Sequence, residues 1–165
     1  MAKGNRKNVT GPLLNRMMPS GSRSRRTPSQ QRWRGILRLS MFKVNVVARN
    51  PKREELATPA VEAVVDTGSE LTWLPADVLR GVGITPRRKR IFATATRQKV
   101  EREVGYAILS SEGFETNDEV VFAEPGDMTL LGVRTLEGFG VMVDNIGHRL
   151  VATTTIVAIF SQDHR

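Results

Sequence analysis

The chain has 165 residues, a length typical of one domain, with 25 Lys and Arg against 17 Asp and Glu and a formal net charge of +8. It contains no cysteine, which excludes disulfides, thiol catalysis and metal sites built on cysteine. Its longest uninterrupted apolar run, residues 156–160, is far too short to span a bilayer, so we expect a cytoplasmic protein without a membrane partner.

The positive charge is concentrated at the beginning of the chain. Residues 1–40 carry ten Lys or Arg and no acidic residue, whereas residues 41–165 have a net charge of −2. The first segment also lacks a sustained apolar period, so we expect a basic extension that is disordered on its own. Three interpretations stay open: binding of nucleic acid or another polyanion, an organelle-targeting presequence, and a stretch upstream of a true start at Met41.

Residues 41–165 are expected to form the domain, and their apolar pattern predicts mostly strands. We expect strands at residues 42–48, 61–66, 71–74, 100–109, 119–123 and 140–144. Pro75 suits the start of a short helix at residues 76–80, closed by Gly81 or Gly83. The basic run at residues 87–90 predicts a solvated turn, and residues 135–138 predict a single helical turn. Many short strands separated by turns favour a closed or sandwiched β-barrel.

The chemistry of the chain is concentrated in the tripeptide Asp66-Thr67-Gly68, which follows an apolar strand and precedes Ser69. A lone carboxylate is costly to desolvate, so this turn has to supply hydrogen-bond donors around Asp66. The Thr67 hydroxyl and the amides of Gly68 and Ser69 are available, and glycine allows a positive φ that turns N–H groups inward. An ordinary turn has the same composition, so the motif becomes informative only together with its surroundings.

Those surroundings include a second element, Leu130-Leu131-Gly132, which lies 64 residues after Asp66. The segments AVVDTGSELTWLP, EREVGYAIL and LLGVRTLEGFGVMVD together resemble the retropepsin-like aspartic proteases of single-lobe form, over about residues 41–150. The resemblance implies an all-β, closed-barrel fold with one short helix after the active-site loop. It implies Asp66 as catalytic residue, support from Thr67, Gly68 and Ser69, and packing of Leu130, Leu131 and Gly132 behind the loop.

A single Asp-Thr-Gly motif implies, in this family, that the second catalytic carboxylate comes from another copy of the chain. We therefore expect a symmetric homodimer that cleaves a peptide or protein substrate. Two carboxylates about 3 Å apart cannot both ionise cheaply, so the pair should share one proton. One Asp66 then activates a water while the other donates to the peptide carbonyl. In this family Thr67 holds the two loops together across the axis.

The family's flap, a hairpin that covers the substrate, is expected at residues 91–105, with Thr94, Ala95 and Thr96 as flap candidates. Flap tips of this family usually carry glycine, but none occurs between Gly83 and Gly105. This departure leaves flap mobility and substrate preference open.

The β-prone run at residues 151–160 has two interpretations, a strand shared between subunits or an ordinary strand within one chain. His148 and His164 lack metal-ligand spacing, so we expect neither a metal nor a cofactor. The opposing functional class is a catalytically silent dimerisation or protein-binding module with the same fold. The intact Asp66-Thr67-Gly68 favours the enzyme.

Overall fold

The computed structural model describes residues 41–154 and residue 156. The strands are β1 (Lys43–Asn50), β2 (Arg53–Ala57), β3 (Val61–Val65), β4 (Thr72–Pro75), β5 (Arg88–Ala93), β6 (Lys99–Ser111), β7 (Phe114–Ala123), β8 (Leu130–Leu131), β9 (Val141–Asp144) and β10 (Arg149–Ala152). The helices are α1 (Ala76–Gly81) and α2 (Val133–Phe139). The domain is mostly β, as expected. The basic extension at residues 1–40 and, from the run at 151–160, residue 155 and residues 157–160 lie outside the described residues.

The strands form one large sheet that curls on itself. Its order is β2-β1-β3-β8-β4-β7-β6-β5, and an additional pairing of β1 with β6 completes a ring of six strands. The ring is uneven, because β6 and β7 pair over eight residue positions whereas β1 and β6 pair over three. Strands β4 and β8 meet at a single position, Trp73 opposite Leu130. The closed barrel of the prediction is therefore present only in an irregular form.

The core follows from alternation along the strands. In β1 the side chains of Val44, Val46 and Ala48 point inward, while the residues between them are exposed or half-buried. Burying a valine side chain contributes about 1.5–3 kcal/mol, so this alternation fixes which face of β1 covers the core. Strand β7 differs, because its last six residues are all buried. It lies between β4 and β6 in the sheet and also packs against α2.

Two short helices are present in the described part of the chain, at the two places where a short helix and a helical turn were expected. Helix α1 follows Pro75, as predicted, and Gly83 lies beyond its end with a φ of 75°. Helix α2 extends the single predicted turn to seven residues and ends at Gly140, whose φ of 67° is left-handed. Neither of these two helices of the described residues is long and apolar enough to cross a membrane.

The basic run at residues 87–90 was wrongly predicted as a turn, because Arg88, Lys89 and Arg90 open strand β5. The polar strand has acidic partners on β6 and β7: Arg88 pairs with Glu119 of β7, and Lys89 with Glu101 of β6 at 3.2 Å. Strand β2 was also missed. It is an edge strand with mostly exposed side chains, so it carries no apolar alternation that a sequence pattern could reveal.

Candidate active site

Asp66 follows the last residue of β3, and both its amide and its carbonyl group form backbone hydrogen bonds. Its amide donates to the carbonyl oxygen of Leu131 at 3.0 Å, and its own carbonyl accepts from the Ser69 amide at 3.2 Å. The Gly68 amide donates to Asp66 Oδ1 at 2.9 Å, so the turn supplies the carboxylate with a backbone donor. Asp66 is half-buried, and no described cation forms an ion pair with it. The carboxylate is thus partly accessible to solvent and fixed by a backbone hydrogen bond.

Glycine at position 68 is favoured for a different reason from the one expected. Gly68 does not adopt a positive φ. A Cβ built on it would lie 3.2 Å from Asp66 Oδ1, closer than side chains normally approach. The close approach of the backbone to the carboxylate, rather than a left-handed conformation, therefore favours glycine here.

The other two residues of the motif, Ser69 and Thr67, differ in whether their hydroxyls are used within the turn. Ser69 donates its hydroxyl to the Leu71 carbonyl oxygen at 2.9 Å, so this hydroxyl is used within the turn and not on the carboxylate of Asp66. Thr67 is exposed beside Asp66. The turn therefore leaves the Thr67 side chain at the surface of the monomer.

The element Leu130-Leu131-Gly132 lies behind the loop. Leu130 and Leu131 form β8, which runs parallel to β3 with Leu131 opposite Val65. Gly132 packs so tightly that an added Cβ would lie 2.4 Å from the main chain of Leu71. Immediately after it, the Val133 amide donates to the Ser69 carbonyl oxygen at 2.8 Å. The loop and the start of α2 are therefore joined backbone to backbone.

Gly132 is also connected to a buried polar chain. Its amide donates to Thr72 Oγ1 at 3.0 Å, and Thr72 Oγ1 lies 2.7 Å from Thr135 Oγ1. Thr135 donates to Asp118 Oδ2 at 3.0 Å. Because Thr135 uses its only hydroxyl proton on Asp118, Thr72 must donate to Thr135. This chain satisfies the buried hydroxyls and fixes Gly132 behind the loop.

A cleft of about 620 Å³ opens beside Asp66. Its lining brings together the active-site loop, the β5–β6 hairpin and the segment that precedes β8: Asp66, Gly68, Ser69, Trp73, Phe92, Ala93, Thr94, Ala95, Val100, Gly126, Asp127, Met128 and Leu130. Trp73 packs edge-to-face on Phe92 with ring centroids 4.9 Å apart. Trp73 therefore has both a packing contact and a place in the cleft.

The hairpin of β5 and β6 includes residues 91–105, where the flap was expected. Its turn is closed by Thr94, whose amide donates to the Gln98 carbonyl oxygen at 2.8 Å and whose hydroxyl accepts from the Gln98 amide at 3.1 Å. Thr94 and Ala95 line the cleft, whereas the exposed Thr96 is not among the lining residues. Arg97 adopts the left-handed φ of 62° that glycine would otherwise take. A hairpin therefore forms without glycine, with backbone strain at Arg97.

A second carboxylate in the cleft, Asp127, was missed from the sequence. Arg102 donates to both of its oxygens, at 2.7 and 3.0 Å, and the Glu124 amide donates to Oδ2 at 2.8 Å. The hydrogen bonds from Arg102 hold the pKa of Asp127 below its usual value. Asp127 is thus an ionised carboxylate that has an ion-pair partner, whereas Asp66 forms no ion pair with a described cation.

No described group of three or more His, Asp or Glu side chains has a geometry suited to a metal ion. His148 is exposed in a turn, with its ring stacked 5.7 Å from that of Phe42. His164 lies outside the described residues.

Neither a protein-family model nor a curated protein matches this chain. Among solved structures, a foamy viral protease-reverse transcriptase, determined in complex with double-stranded DNA, aligns with a TM-score of 0.40 and 17% sequence identity. The alignment covers 56% of this chain and 14% of the viral chain, so it spans only a small share of that protein's length.

Proposed function

We propose that this chain is an aspartic endopeptidase of retropepsin-like type that works as a homodimer. The observation that carries the proposal is the state of the Asp66 carboxylate. It is half-buried, receives a hydrogen bond from the Gly68 amide, and opens into a cleft without forming an ion pair to any described residue. A carboxylate held in position but not neutralised is suited to exchanging protons with a substrate.

The reaction requires two carboxylates in different protonation states. One Asp66 takes a proton from water, the water oxygen attacks the peptide carbonyl carbon, and the protonated Asp66 of a second copy donates to the carbonyl oxygen. The tetrahedral intermediate then collapses: the C–N bond breaks as the first Asp66 gives its proton to the amine nitrogen, and the second Asp66 takes a hydroxyl proton as the carbonyl reforms. One chain supplies one Asp66, so the mechanism needs a two-fold dimer. Thr67 is exposed beside Asp66, which leaves its hydroxyl available for a contact with its counterpart across such an axis.

The remainder of the cleft suits this chemistry. Trp73, Phe92 and Met128 give it an apolar surface that excludes water around a bound peptide, which strengthens electrostatic interactions there. Arg102 neutralises Asp127, so this second carboxylate adds little repulsion to the negative charge that the Asp66 pair must carry. The hairpin lies where it can cover a substrate in the cleft.

The test is cleavage of a mixed peptide library by the full-length chain, at high protein concentration and from about pH 3 to 8. Asp66→Asn is compared with Asp77→Asn, which removes an exposed carboxylate on α1 outside the cleft. We expect turnover to fall about 10²- to 10⁴-fold in Asp66→Asn and to be unchanged in Asp77→Asn. A folded dimer with no turnover at any pH would contradict the proposal and favour the silent dimerisation or protein-binding module.

Mixing wild-type and Asp66→Asn protein tests whether two chains share one site. If one Asp66 from each subunit is needed and subunits exchange, activity should follow the square of the wild-type fraction at constant total protein. Once mixed dimers are shown to form, a linear dependence would show that each chain acts alone and would overturn the dimeric mechanism. Asp77→Asn protein in the same mixtures should leave activity unchanged.

A further inference from the structure

A cluster of charged side chains lies between the active-site loop, the hairpin and α2, outside the reacting groups. We call Glu70, Arg90, Asp118, Glu119 and Arg134 the charge cluster. The side chains of Asp118 and Glu119 are only 5% and 8% exposed, so their charges need partners inside the protein. Arg134 provides one for each, at 3.0 Å to Asp118 and 3.1 Å to Glu119.

Arg90 connects this cluster to the hairpin. It belongs to β5, and its guanidinium reaches Glu70 at 3.2 Å and Glu119 at 3.7 Å. The same guanidinium lies 5.3 Å from the ring centroid of Phe92, which lines the cleft and packs on Trp73. A displacement of β5 would therefore separate Arg90 from a buried carboxylate and disturb the aromatic wall of the cleft together.

Glu70 connects the cluster to the active-site loop. It directly follows Ser69, and its carbonyl oxygen accepts from the Arg134 amide at 3.1 Å. Its side chain is shared between Arg90 at 3.2 Å and Arg134 at 3.9 Å. The loop that presents Asp66 is thus fastened to α2 through its main chain and to the hairpin through the Glu70 side chain.

We infer that Glu70 and Arg90 are positioning residues that couple the hairpin over the cleft to the loop that carries Asp66. The inference rests on the proposed function, because it assigns the pair a role in placing the catalytic carboxylate and the substrate relative to each other. Neither side chain touches the reacting atoms. The coupling acts through the contact of Arg90 with Glu70, the single side-chain ion pair between β5 and the loop in the described structure.

The kinetic test compares Arg90→Gln, Glu70→Gln and the double variant with Lys89→Gln. Lys89 and Glu101 form a pair of the same length, 3.2 Å, between exposed side chains of the same hairpin, and this pair does not reach the loop. We expect each single variant to lower kcat/KM about tenfold, by raising KM as well as lowering kcat. The double variant should lose no more than a single one, and Lys89→Gln should stay within about twofold of wild type.

A merely structural role predicts a different pattern. Partial unfolding removes active molecules, which lowers the apparent kcat but leaves KM unchanged. Arg90→Lys retains a cation opposite Glu70 and should restore most of the loss, whereas Arg90→Gln should not. Unchanged KM in Arg90→Gln and Glu70→Gln, or fully additive losses in the double variant, would overturn the inference.

Amide hydrogen exchange gives a readout that does not depend on turnover. In both Arg90→Gln and Glu70→Gln, exchange should become faster in residues 88–98 and in residues 66–72 together, whereas Lys89→Gln should leave residues 66–72 unchanged. Faster exchange confined to the segment that carries the substitution would overturn the coupling. Coupled exchange in a chain without any Asp66-dependent turnover would refute the proposed function and retain the coupling.

Discussion

The active-site loop and the tip of the hairpin face the same cleft but are held in different ways. The loop is anchored by backbone bonds to residues more than 60 positions away, such as Asp66 to Leu131 and Val133 to Ser69. The tip is closed by bonds between Thr94, Arg97 and Gln98, which are neighbours in sequence. The carboxylate is therefore placed by the tertiary structure, whereas the tip of the hairpin is shaped by local turn geometry.

This contrast has an energetic consequence. A substitution that displaces a long-range anchor of the loop should affect both the stability of the domain and the site. A substitution at the tip should affect only the few bonds of the turn. The following predictions test the contrast at three places: an anchor of the loop, the ion pair between Arg102 and Asp127 in the body of the domain, and the tip of the hairpin.

The largest effect is expected at the anchor, in Gly132→Ala. The added Cβ would lie 2.4 Å from the main chain of Leu71, and backbone on this scale cannot move aside cheaply. We expect the free energy of unfolding to fall by about 3 kcal/mol or more, measured by urea denaturation.

Gly81→Ala is the matched control for this experiment. An added Cβ at Gly81, the last residue of α1, meets no atom within 4 Å, and its φ is not positive. Stability should rise slightly, by up to about 1 kcal/mol, because alanine favours the helix. Equal losses in the two variants would show that the packing of Gly132 does not anchor the loop.

A smaller effect is expected at the ion pair between Arg102 on β6 and Asp127 in the segment before β8. Because the hydrogen bonds from Arg102 lower the pKa of folded Asp127 below its ordinary value of 3.8, the ionised form stabilises the fold above that value. This contribution is lost as the pH falls through the lowered pKa. Asp127→Asn should therefore cost about 1 kcal/mol at pH 7.

The measurement is urea denaturation of both proteins at pH 7 and near pH 3. The difference in unfolding free energy between wild type and Asp127→Asn should shrink at the lower pH. Glu124→Gln provides the control, since Glu124 is 60% exposed and lies 3.6 Å from Arg102, and its effect should be small at both values. A difference that grows on acidification would contradict the assigned sign.

The smallest effect is expected at the tip, in Arg97→Gly. The left-handed backbone of Arg97 is strained for a residue with a side chain and unstrained for glycine, so stability should rise by up to about 1 kcal/mol. Gln98→Gly, at a residue without a positive φ, should instead be neutral or destabilising. A loss of stability in Arg97→Gly would mean that the side chain of Arg97 contributes more than its backbone strain costs.

Several elements could be predicted because their signals are local. The alternation in β1, the apolar run of β3 and the proline before α1 each specify a structure from neighbouring residues alone. Strand β2 and the charged start of β5 could not be predicted in this way. Strand β2 has mostly exposed side chains and no apolar alternation, and Arg88 of β5 pairs with Glu119, which is distant in sequence and adjacent only after folding.

The site shows the same division. The sequence by itself determined the Asp66-Thr67-Gly68 turn at the end of an apolar strand, because strand and turn propensities act over a few residues. Only the tertiary structure decided which side chains share the cleft with Asp66, among them Phe92, Asp127 and Met128. It also decided why Gly68 and Gly132 are glycines, because close approach to a carboxylate or to another segment depends on packing that no local pattern records.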